Sequence, residues 1–112
     1  MDNLDEILTT PHLDAVYVGP ADLGLSLTGV AAADPTHETT VAAIKKIIEA
    51  CKRHNIVGGI HCFAPAYAKE MIKLGYQFVT LGSDNSMLAN MAKQTVAQMR
   101  EGTQATGAKG LY

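Results

Sequence analysis

Cysteine, aromatic residues, arginine and long apolar runs are all scarce in this sequence of 112 residues, and each scarcity closes off a class of function. Phe and Tyr together make up 5 %, and nine Lys and Arg face eleven Asp and Glu, for a formal net charge of −2. There is no basic stripe, no aromatic platform and no block of like charges, which excludes a nucleic-acid interface. Two cysteines, Cys51 and Cys62, supply neither a disulfide framework nor a four-ligand zinc site, so reduced thiols and a cytoplasmic setting are expected. Apolar runs are broken by Gly or charge within a few residues, which excludes a membrane span. The N-terminal "MDNLDEILTT" is acidic and lacks a charged-then-apolar signal layout, so export is not expected. "GLSLTG" is not followed by Gly-Lys-Ser/Thr, which excludes a phosphate loop of that kind.

What is present is an alternation of short apolar runs and amphipathic stretches. A short helix over 3–9 is stopped by Thr-Thr-Pro. "DAVYV" (14–18) reads as a buried strand bounded by Asp and Gly-Pro. Residues 19–37 read as a long loop in which "DLGLSLTG" makes at most one helical turn. From Glu38 to His54, Val41, Ile44, Ile47, Ile48 and Cys51 recur at spacings of three and four, which is an amphipathic helix with its lysines outward. "IVGGIHC" (56–62) is a second strand. "APAYAKEMIKLG" (64–75) is a helix closed by Gly75. "QFVTLG" (77–82) is a third strand, and Ser83 or Asp84 caps a helix running to about Arg100. On that helix Met87, Leu88, Met91, Val96 and Met99 read as core at helical spacing. Residues 102–112 lack periodicity and read as a flexible C-terminal tail, leaving 1–101 as the folded part.

Strands joined by helices of this length imply parallel pairing and right-handed crossovers. The strands are nearly all apolar, as strands buried on both faces are. Three parallel strands leave both sheet edges open. The chain is therefore either a small α/β sheet that self-associates or the last part of a larger barrel.

In parallel α/β folds chemistry sits at the carboxyl ends of the strands. Here those ends carry Gly19-Pro20-Ala21-Asp22, His61-Cys62 and Gly82-Ser83-Asp84. Gly and Ala let a ligand approach the backbone, and the amides of Ala21 and Asp22 can face an anion if a helical turn starts there. The Asp22 carboxylate suits a hard divalent cation. Together they would grip a small oxo acid, with metal on its keto oxygen and amides on its carboxylate; the competing reading is that Asp22 caps the turn that follows. His61 either lines a pocket as acid, base or ligand, or is satisfied by a neighbouring backbone group. Cys62 reads as a small buried filler rather than a nucleophile, and Asp84 as a helix cap. The glutamates all fall on predicted helices or their ends, and the two arginines, Arg53 and Arg100, near helix C-termini. A second carboxylate, a cation and a base, which a metal-assisted site needs, are not apparent.

"LDAVYVGPADLGLSL" and "GGIHCFAPAYAKEMIKLGYQFVTLGSD", with the helix between them, resemble the C-terminal part of the HpcH/HpaI-type class II pyruvate aldolases, over about residues 2 to 100. The citrate lyase β-subunit group resembles the "GPADL" turn less closely. The resemblance implies an α/β chain forming the last three β/α units, with parallel strands, of a TIM (β/α)8 barrel. It implies a carbon–carbon lyase that cleaves 4-hydroxy-2-oxo acids to pyruvate and an aldehyde through an enolate stabilised by a divalent metal cation, Mg2+, Mn2+ or Co2+. By motif match Asp22 is one carboxylate ligand of that metal, and Ala21 and Asp22 supply the amides that bind the pyruvate carboxylate. His61 faces the substrate. The partner metal glutamate, the substrate arginine, and the base histidine with its acidic partner belong to earlier strands of such a barrel. Nothing in this sequence replaces them, so the isolated chain is expected to be an incomplete enzyme, a truncation or fragment, partnered by copies of itself or by a complementing barrel half. Two alternatives stay open. One is a non-catalytic α/β module that self-associates or binds a small oxo acid. The other is a metal site built within the chain from Asp22, His61 and Asp84.

Overall fold

Parallel pairing holds throughout the computed structural model, which describes residues 1–101. The elements run α1 (Leu4–Leu8), β1 (Ala15–Val18), α2 (Pro20–Thr28), α3 (Glu38–His54), β2 (Val57–Cys62), α4 (Pro65–Leu74), β3 (Phe78–Leu81) and α5 (Asp84–Arg100). The chain divides at Gly82 into one unit with everything through β3 and a second that carries α5. The tail expected over 102–112 lies outside the described residues.

The first unit is a three-stranded sheet in the order β1-β2-β3, with no reversal of direction along the sheet. Val16, Val18, Gly58, Ile60, Cys62, Val79 and Leu81 share one face by alternation and register. Helices α3 and α4 lie over that face, α3 against β2 and α4 against β2 and β3. Its core joins Val18, Ile44, Ile47, Ile48, Cys51, Ile60, Cys62, Met71 and Tyr76. The Tyr76 hydroxyl, buried with its ring, donates to the Ile44 carbonyl at 2.8 Å and so ties the end of α4 to the middle of α3. Helix α4 ends where a left-handed residue is needed, and Gly75 supplies it at φ +112.

Three expectations need correction. First, the strands are covered on one face rather than two within their unit. Tyr17 and Phe78 on the other face remain about half exposed, at 48 % and 53 %. Their apolarity serves a sheet face that no element of the unit covers. Second, residues 20–28 form a nine-residue helix rather than one turn in a loop. Its inward positions are Pro20, Leu23 and Gly24, while Leu25 and Leu27 point outward, so the stripe is carried by residues that hydropathy does not flag. Third, the methionines of α5 are not core. That helix buries none of its residues, and Met87, Met91 and Met99 are 57 %, 62 % and 75 % exposed. The 3.6-residue spacing is there, but among the described residues of that unit α5 is the single element.

Candidate functional site

The Gly-Pro turn after β1 opens directly into α2. Gly19 is the N-cap residue in extended conformation and Pro20 takes the first helical position, where its missing N–H costs nothing. The first helical bond runs from the Leu23 amide to the Gly19 carbonyl at 2.9 Å. The amides of Ala21 and Asp22 therefore have no helical acceptor and stand free at the positive end of the helix. Asp22 is not the cap that one reading expected, because its side chain makes no capping bond. Its carboxylate is exposed and lies back over the strand end, so close to Gly19 that a methyl there would sit 2.7 Å from Oδ2. Only glycine leaves room for that approach.

His61 is half-buried at the end of β2. Its Nδ1 pairs with the Thr80 hydroxyl at 2.8 Å, and that same oxygen lies 2.5 Å from the Tyr17 hydroxyl. The partner of His61 is thus a side chain on the neighbouring strand rather than the backbone group weighed from sequence. Ala21, Asp22 and His61 come together, lining one cleft of about 420 Å³ with Tyr17, Gly19, Pro20 and Ala33. Cys62, one residue on, points the other way into the core. Burial, with Asp34 as a smaller contribution, pushes its thiol up to about 11, which fits a filler and not a nucleophile.

As a metal centre the arrangement is partial. The Asp22 carboxylate is a hard oxygen donor with no hydrogen bond or ion pair among the described residues, which suits a divalent cation as one ligand. Among the described residues no three His, Cys, Asp or Glu side chains gather to hold a metal ion. Of the three residues of the alternative metal site, Asp22 and His61 belong to the first unit and Asp84 to the second, at the start of α5. Asp84 is not the cap of α5. Ser83 is: its Oγ accepts the Ser86 amide, and its own amide donates to Ser86 Oγ at 2.9 Å, while Asp84 takes only the Asn85 amide.

The HpcH/HpaI aldolase/citrate lyase family model matches residues 1–91, most of the chain. The chain belongs to this family. Among curated relatives it is 34 % identical over 98 residues to a hydroxypyruvate/pyruvate aldolase of Rhizorhabdus wittichii, covering 88 % of this chain and 39 % of that one. It is 35 % identical over 112 residues to a 4-hydroxy-2-oxo-heptane-1,7-dioate aldolase of Salmonella arizonae, covering 100 % of this chain and 42 % of that one. A crystal structure of a family member from Burkholderia cenocepacia superposes with a TM-score of 0.83 at 29 % identity, over 88 % of this chain and 38 % of that one. The HpcH/HpaI aldolase of Desulfitobacterium hafniense, at 23 % identity and a TM-score of 0.80, shows the fold alone. The chain thus spans about two fifths of the length of the relatives it matches.

Within this HpcH/HpaI chain, two residues that frame the cleft escaped the sequence reading. Asp34 accepts the amides of Phe63 and Ala64, the two residues before α4, at 2.8 and 2.7 Å, and holds the loop that carries Ala33 to the cleft wall. Its signal was the Asp-Pro just before α3, which reads as an ordinary helix approach. Thr80 gave no signal at all, since an apolar strand tolerates threonine as a mere β-branched filler.

Proposed function

We propose that this chain forms the last three β/α units of a TIM-barrel aldolase that cleaves a 4-hydroxy-2-oxo acid to pyruvate and an aldehyde. The observation that carries the reading is the cleft itself, where the Asp22 carboxylate, two free amides and His61 converge at the carboxyl ends of β1 and β2. The unreversed strand order, with α3 and α4 over one face of the sheet, is the arrangement that a barrel wall requires. The uncovered face then becomes the barrel interior. The family's aldolase names support the reaction class.

In the assembled site the Ala21 and Asp22 amides bind the carboxylate of the oxo acid, their charge reinforced by the α2 dipole. Asp22 holds a divalent cation, Mg2+, Mn2+ or Co2+, as one of several ligands. Bound there, the ion would supply Lewis-acid polarisation of the keto oxygen. Tyr17 and Pro20 wall the cleft, and Ala33 closes it from the loop. His61 borders the substrate from β2. The remaining ligands, the base and a cationic group come from another polypeptide segment or another copy, and a homo-oligomer is expected. A cytoplasmic location fits the two free, buried cysteines, and among the described residues no helix is long and apolar enough to cross a membrane.

The test is pyruvate release from a 4-hydroxy-2-oxo acid with Mg2+ or Mn2+, using the purified chain alone and the chain co-expressed with the complementary part of a relative's barrel. Metal-dependent turnover is expected only in the pair, and only with Asp22 intact. Turnover by the chain alone would refute its incompleteness. No turnover in the pair, with pyruvate binding unaffected by a chelator, would instead establish a non-catalytic acid-binding module.

A further inference from the structure

The residues on the uncovered sheet face form a hydrogen-bonded line that runs across all three strands and ends in the cleft. Tyr17 lies on β1, in register with Gly59 of β2, which in turn is in register with Phe78 of β3. Because Gly59 has no side chain, the Tyr17 ring passes over β2 and packs against Phe78 with centroids 5.5 Å apart. A methyl on Gly59 would meet Tyr17 Cδ2 at 2.8 Å. Crossing there brings the phenol to Thr80, and Thr80 is the register neighbour of His61. The line is Tyr17 hydroxyl, Thr80 hydroxyl, His61 Nδ1. His61 Nε2 has no partner among the described residues.

We propose that Tyr17 and Thr80 are positioning residues that hold His61 in the Nε2–H tautomer, so that the cleft presents a hydrogen-bond donor to an oxygen atom of its ligand. Thr80 Oγ1 has one proton and two acceptor sites, so three arrangements satisfy both bonds. Tyr17 donates to Thr80 and Thr80 donates to Nδ1; or Nδ1–H donates to Thr80 and Thr80 donates to Tyr17; or both Tyr17 and Nδ1–H donate to Thr80, which leaves the Thr80 proton without an acceptor in the line. A phenol is a far stronger acid than an aliphatic hydroxyl, and an imidazole nitrogen is a better acceptor than a phenol oxygen. The first arrangement places the best donor at one end and the best acceptor at the other, and each bond polarises the next. Nδ1 is thereby an acceptor, and the ring's one proton sits on Nε2.

The ligand chemistry follows. The wall made by His61 favours a carboxylate, hydroxyl or carbonyl oxygen over a hydrocarbon group. What that oxygen belongs to rests on the aldolase reading, where it is an oxygen-bearing aldehyde portion; the relay does not rest on that reading.

The relay is tested on the whole chain, with no metal or substrate, by long-range proton–nitrogen correlation NMR of the histidine rings at about pH 8, where imidazoles are neutral. Wild-type His61 is expected as a single Nε2–H tautomer. Thr80→Val should give a mixture of both tautomers, Tyr17→Phe should shift in the same direction with the Phe78 contact kept, and Thr80→Ser should restore the wild-type pattern. A wild-type Nδ1–H signal, or a mixture unchanged by Thr80→Val in chains whose amide spectra remain dispersed, overturns the proposal. In the co-expressed pair, preference for an oxygen-bearing over a purely hydrocarbon aldehyde should fall roughly five- to tenfold in Thr80→Val, the scale of one hydrogen bond. Pyruvate release with no change in that preference defeats the inference about the wall. No pyruvate release from any pair defeats the aldolase reading and leaves the tautomer result standing.

Discussion

Cys62 closes β2 fully buried, and its neighbourhood also buries Cys51 and Tyr76 and half-buries Tyr67. Burial is the main cause that raises all four: the Cys62 thiol to about 11, the Tyr67 phenol to about 12, with Cys51 and Tyr76 shifted the same way. Each of these groups is neutral when protonated, so the folded state keeps protons that the unfolded chain loses near pH 9 for a thiol and near 10 for a phenol. Their stabilising effect is complete below about pH 9 and declines as pH climbs through the window to about 11–12. The urea midpoint should therefore hold steady up to about pH 8.5 and fall by pH 11, and a flat midpoint across that span would contradict the burial of these groups. In the same vein, both thiols should resist a disulfide reagent at about pH 8 in the folded chain and react fully in denaturant. At this scale the sequence was legible wherever a side chain's role is set by its immediate neighbours. Asp22 after Gly-Pro-Ala announces a strand end at a helix start, and Cys62 reads as filler. Asp34 and Thr80 were not legible, because their bonds reach 29 or 30 residues to Phe63 and Ala64, and 19 residues to His61.

Among elements, α4 owes its start to a residue outside it. Its N-cap position is Ala64, which has no side-chain acceptor, and Asp34 accepts the amides of Phe63 and Ala64, the two residues before the first helical position, so fixing how the chain enters the helix. Asp34→Ala should lower stability by about 1.5–3 kcal/mol, the range for hydrogen bonds to a charged group, as read from chemical denaturation. It should also loosen the 29–37 segment, visible as faster amide exchange there than in β2. By comparison the Asp5 contacts to Arg53 and His54, which join α1 to α3 at the surface, are exposed, so Asp5→Asn should shift the melting temperature less than Asp34→Ala does. The sheet has its own dependence, on Gly59. Its added methyl would press on Tyr17 at 2.8 Å, and on the Phe78 ring and carbonyl at 3.0 and 3.2 Å. Gly59→Ala should cost about 1–3 kcal/mol, the range of overpacking, and alter the near-ultraviolet tyrosine signal as the ring leaves Phe78. Periodicity found α3 with its bounds intact and found the other long helices to within about a residue. It missed α2 because that helix turns a proline and a glycine inward, and period counting looks only for large apolar residues.

For the molecule as a whole, the question is what covers the second face of the sheet. Ala15, Tyr17, Val57 and Phe78 are exposed on it, and among the described residues β1 and β3 each pair with β2 alone. The nearly continuous apolar character of these strands in the sequence showed that both faces want cover, but no count of residues in one chain can show whether the cover is in that chain. An apolar sheet face beside two open edges is costly in water, and it favours association or completion. The isolated chain should therefore bind an apolar dye such as anilinonaphthalene sulfonate and form larger species as concentration rises in sedimentation velocity. Co-expression with the complementary barrel segment should abolish the dye signal and yield a species of defined mass. Phe78→Ser, which removes apolar surface from that face and leaves the α3–α4 core untouched, should reduce dye binding by the chain alone while weakening assembly of the pair. A chain that stays monomeric at high concentration and ignores the dye would mean that this face is satisfied in solution, and the barrel-wall reading would lose its physical motive.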